Sequence, residues 1–120
     1  MRRFKLNVLG TVYTVSLNVD PAKDDGLEDR FGYCNSTARE IVVADLLKID
    51  EWMDEPACIR EAQTRNTLRH EIIHAFLYES GLWANSTQDV GPWAMNEEMI
   101  DWLAIQWPKI QDVFVQAGAI

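Results

Sequence analysis

The chain has 120 residues, 48% hydrophobic and 25% charged, with a formal net charge of -8. That balance fits one globular domain over residues 1–120, and the acidity argues against a nucleic-acid partner because no basic stripe is present to meet a phosphate backbone. No apolar run approaches the roughly 20 residues needed to span a bilayer, so no membrane contact is expected.

The opening MRRFKLNVLG interrupts its hydrophobic stretch with Lys5, Asn7 and Gly10 before a signal-peptide core can form, and the expected compartment is the cytoplasm. Residues 3–8 and 11–18 are β-rich and meet at Leu9 and Gly10, which predicts an antiparallel hairpin. Residues 19–30 hold Pro21, Gly26 and five acids, the composition of a solvated loop, and their spacing fits no EF-hand. A turn at Asn35 and Ser36 then separates two strands. The second, over residues 39–44, is a strong β-former through Ile41, Val42 and Val43. Residues 46–55 leave a helical turn and a loop both open. Two cysteines, Cys34 and Cys58, are too few for a disulfide framework and are expected to be buried small hydrophobes.

Pro56 in a first turn, Asp54 or Glu55 before it as cap, and Gly81 as a stop predict a long helix between them. In its second half Leu68, Ile72, Ile73, Ala75, Phe76 and Leu77 lie on nearly every side, the pattern of a helix buried all round. The segment LWANSTQDVGP is turn-rich and is expected to cross the surface. Residues 93–107 are helical again, with Met95, Met99, Ile100, Leu103 and Trp107 in phase. Pro108 is expected to break or kink that helix, and Ile110, Val113, Phe114 and Ala117 form the stripe of another short one. The fold class is α+β: a small antiparallel or mixed sheet of 3–4 strands packed on two helices.

The long helix carries HEIIH, residues 70–74. His70 and His74 leave one face a turn apart, so both imidazoles can close on one metal ion, while Glu71 sits beside them. This is the HExxH pattern, in which two histidines bind zinc and the glutamate serves as general base toward a metal-activated water. Two histidines alone make an incomplete site, and the chain has no third. Cys58 is twelve residues before His70, out of reach at about 1.5 Å rise per residue. Cys34 has no ligand knuckle around it. NEEMID offers Glu97, Glu98 and Asp101. Glu97 and Asp101 share a helix face, so one can bind metal while the other accepts a hydrogen bond from a ligating histidine. Glu98 points away from Glu97 by about 100°.

HEIIH followed by NEEMID resembles the gluzincin arrangement of thermolysin-like peptidases, and EEMIDWLAIQWP resembles the ExxANxFAxxLLxP signature of the compact ImmA/IrrE-like minigluzincins. Glu97, Asp101, Leu103, Ala104 and Pro108 fall at matching places, while Ile100 stands where that family usually has alanine. The similarity covers roughly residues 30–110. It implies a zincin-like fold, a single zinc ion on His70, His74 and Glu97, and Asp101 supporting the first histidine. Many proteins of this kind are small and of phage or prophage type.

The expected function is that of a zinc-dependent peptidase acting on an intracellular protein or peptide, with strand 39–44 as the edge along which the substrate pairs. For the second oxyanion donor the residues leave Tyr78, Arg39, Tyr33 and Trp93 open. The competing reading is a non-catalytic protein that keeps zinc as a staple and sequesters a partner, a role that gives Glu71 no work.

Overall fold

The computed structural model describes residues 1–85, 93–118 and 120. The expected hairpin forms as β1 (Arg2–Val8) and β2 (Thr11–Val19), with Val8 opposite Thr11. Leu9 and Gly10 both take positive φ, at 51° and 92°, as a two-residue hairpin turn requires, and the Asn7 side chain accepts from the Gly10 N–H at 2.7 Å. Strands β3 (Gly32–Asn35) and β4 (Glu40–Ala44) form a second antiparallel hairpin. Strand β4 also pairs with β2 in parallel, giving a mixed sheet in the order β1-β2-β4-β3. Strand 39–44 is therefore not an edge: its apolar run buries both faces between β2 and β3, and the outer strands are β1 and, beside β4, β3.

Alternation along β2 sends Tyr13, Val15 and Leu17 to one face, where they join Val8, Ile41 and Val43. Helix α2 (Ala57–Glu79) packs on that face through Ala75, Leu68 and Ile72. Its far end is tied down by Glu79, which accepts from the Tyr13 hydroxyl at 2.7 Å and the Thr11 hydroxyl at 2.9 Å. The opposite face of the sheet holds Val42 and Ala44, and Leu27 covers them. The segment expected to be a solvated loop thus folds as two 3-10 turns, Pro21–Lys23 and Asp25–Leu27, because the second sheet face needs an apolar cover. Residues 46–55 resolve into a 3-10 turn at Leu46–Lys48 and the short helix α1 (Asp50–Met53).

Helix α2 departs from expectation in two ways. Pro56 occupies the cap position itself, extended at φ -56° and ψ 147°, so neither Asp54 nor Glu55 caps the helix. Burial is a single stripe, Thr67, Glu71 and Ala75, and Phe76 is 43% exposed, because the sheet covers one side only. Gly81 provides the stop with φ 82°, and a short helix α3 (Leu82–Asn85) follows. Residues 86–92, most of the turn-rich crossing expected from the sequence, lie outside the described residues.

Helix α4 (Glu97–Gln116) begins at Asn96, whose side chain accepts from the Met99 N–H at 2.9 Å as an N-cap. Pro108 lies inside it, so one helix runs where a break and a second helix were expected. Ile100 and Ala104 are fully buried, whereas Phe114 is exposed. Cys34 is half-buried beside the core, and Cys58 is exposed on α2, contrary to the expectation that both be buried. Among the described residues no helix is long and apolar enough to cross a membrane.

Candidate metal centre

Helical spacing brings His70 and His74 together as expected, with Nε2 atoms 3.1 Å apart. Helix α4 crosses so that Glu97, in its first turn, reaches both: one carboxylate oxygen lies 3.2 Å from His70 Nε2 and the other 3.2 Å from His74 Nε2. One turn further on, Asp101 Oδ1 is 2.7 Å from His70 Nδ1. A carboxylate there accepts, so His70 donates from Nδ1 and leaves the Nε2 lone pair aimed at Glu97 and His74. Glu98 is exposed and makes no contact with either histidine among the described residues.

This donor set fits a metal ion. His70, Glu71 and His74 form a group that could hold one, with ligand-type atoms within 4.8 Å of one another. Glu71 stays farther from the rings, without an ion pair to either, while Glu97 closes to 3.2 Å on both. Acceptor groups converging this closely repel unless something positive lies between them. Burial lowers the basicity of His74, which keeps its imidazole in the neutral, ligating form.

Glu71 is 6% exposed and sits where α2 approaches the outer strand. Burial raises its carboxyl to about 7; His70 and Arg30 oppose the rise, and Glu97 and Asp101 add to it. The close approach depends on Gly32, because a Cβ at that position would lie 2.7 Å from Thr67 Cγ2 and 2.9 Å from the Val42 carbonyl oxygen. Beside this contact opens a cleft of about 480 Å³, with His70, Glu71, His74 and Glu97 on its helical side and Gly32 and Cys34 on its strand side. Burial, followed by the charges of Glu71 and Glu79, pushes the Cys34 thiol up to about 12.

The weaker sequence candidates separate. Tyr78 lines the cleft one turn past His74, its ring against Trp83 at 5.7 Å. Arg39 does not line it: the residue sits in the β3–β4 turn at φ 57°, its carbonyl accepting from the Thr14 N–H. Tyr33 lines the cleft, but its hydroxyl donates to Asp24 at 2.9 Å, and burial with that bond pushes the phenol up to about 12. Trp93 is 57% exposed and does not line the cleft. The sequence reading missed Arg30, a cation that lines the cleft and whose charge reaches Glu71. It follows Asp29, held at φ 58°, a backbone conformation no local pattern announced.

Comparison with protein-family models, curated proteins and solved structures found no match to the chain.

Proposed function

We propose that the chain is a zinc-dependent peptidase with a zincin-like fold of compact gluzincin type, in which His70, His74 and Glu97 hold one zinc ion and Glu71 is the general base. The observation that carries this reading is the mutual approach of His70 Nε2, His74 Nε2 and the Glu97 carboxylate at 3.1–3.2 Å, with Asp101 behind His70. Zinc, when bound, supplies a Lewis acid that polarises a carbonyl and acidifies a water.

The chain's own residues do the rest. Glu71 takes a proton from the attacking water as its oxygen bonds to the scissile carbon, then delivers that proton to the nitrogen as the C–N bond breaks. Its buried position suits both halves, since burial raises its carboxyl and so favours its holding the proton between transfers. Asp101 fixes the ring orientation of His70. Tyr78 is the phenol in the cleft that can donate to the reacting carbonyl oxygen, since the Tyr33 hydroxyl is taken by Asp24. An extended protein or peptide substrate lies along β3, which has no strand on its outer side among the described residues and forms one wall of the cleft.

The test is Glu71→Gln, with peptide cleavage followed by mass spectrometry alongside zinc content. The variant should keep its zinc and lose roughly 10²–10⁴-fold in rate. Undiminished cleavage by the variant would falsify the mechanism. A zinc-loaded wild type that cleaves nothing would favour the staple reading.

A further inference from the structure

Pro108 has no N–H, so the carbonyl of Ala104, four residues earlier in α4, lacks the partner an uninterrupted helix would give it. Ala104 is 0% exposed, so water does not reach that carbonyl either. A buried carbonyl without a donor costs on the order of 1–3 kcal/mol. The missing donor comes from the other helix: Arg69 Nε lies 2.6 Å from the Ala104 oxygen.

The two ends of this bond are next to the metal centre along each helix. Arg69 immediately precedes His70, and Ala104 stands one turn after Asp101 on the same helix as Glu97. We propose that Arg69 is a positioning residue for the metal centre: bound to the Ala104 carbonyl that Pro108 leaves free, it sets the depth and rotation of α4 against α2 so that Glu97 and Asp101 meet His70 and His74. The inference rests on reading this cluster as a metal site. In an uninterrupted helix the Ala104 carbonyl would already accept from the N–H four residues on, so the proline leaves it to Arg69. The bond comes from Nε, a donor partway along the side chain that lysine lacks, so lysine can replace it only in part.

The sign of the effect separates positioning from simple charge. Arg69 is a cation close to a cation site, so removing its charge alone should tighten metal binding, whereas removing a positioning contact should weaken it.

The experiment measures zinc affinity by competition with a chromophoric chelator, and thermal unfolding of the metal-free protein, for the full-length chain. The variants are wild type, Arg69→Ala, Arg69→Lys, Pro108→Ala and the double Arg69→Ala with Pro108→Ala. We expect Arg69→Ala to lose about 10–100-fold in zinc affinity, the usual cost of removing a contact that orients ligands. Arg69→Lys should fall between that variant and wild type. Pro108→Ala restores an N–H that competes with Arg69 for the Ala104 carbonyl, so it should weaken zinc binding in the wild type and change it little in the Arg69→Ala background. Equal or tighter zinc binding by Arg69→Ala overturns the proposal, as does additivity of the two substitutions. If wild type binds no zinc, the metal reading fails by itself. The Arg69 to Pro108 coupling is then read in the metal-free unfolding midpoints, where its absence overturns the positioning role.

Discussion

A carboxylate with 6% of its surface exposed is costly to ionise unless a nearby charge favours it, and for Glu71 the permanent cation concerned is Arg30. Arg30 lowers the Glu71 pKa, so Arg30→Gln should raise it. A general base works only when deprotonated, so the acid limb of the kcat/KM profile should move to higher pH in that variant; an unmoved limb would remove Arg30 from the electrostatics of the site. That His70 and His74 share one face, and Glu97 and Asp101 another, was legible from sequence because helical periodicity decides it within each helix, while the pairing of the two helices came from the resemblance to the gluzincin pattern. Arg30 and Cys34 were not legible. They reach the cleft through the path of a loop and the placement of a short strand, and neither leaves a mark at fixed spacing.

Between elements, the site depends on how closely β3 and α2 approach. Gly32→Ala would put a methyl group 2.7 Å from Thr67 and against the Val42 carbonyl, so either the strand or the helix must shift. Such overpacking costs about 1–3 kcal/mol, and a thermal melt should show a midpoint lower by about 5 °C or more. An unchanged midpoint would mean that the strand gives way freely at this point. The hairpin of β1 and β2 was readable because its alternation and turn are both local, and the long helix because Pro56 and Gly81 bracket it. The interior position of β4 was not readable. Parallel pairing with β2 is a long-range event, and a run such as Ile41, Val42 and Val43 fits an edge or a centre equally well until the order is known. Pro108 misled in a similar way: it signals a break, yet α4 continues through it, and Arg69 on another helix donates to the carbonyl it leaves free.

At the scale of the whole molecule, two sheet faces need cover, and the chain uses different means for each. Helix α2 covers one face and brings HEIIH with it; the acidic segment before β3 covers the other through Leu27. An α+β arrangement was legible in the order of strands and helices, but the second layer was hidden in a stretch whose acids mask one buried leucine. On this acidic molecule, with a formal charge of -8, His70, His74 and Glu97 converge on one centre. The claim on which everything else depends is that Glu97 completes that centre. Elemental analysis of the purified, folded chain should give about one zinc per wild-type molecule, and the same for Glu98→Ala. Glu97→Ala should fall well below one while keeping the wild-type circular dichroism spectrum. Full zinc occupancy in Glu97→Ala, or loss in Glu98→Ala instead, would contradict the assignment.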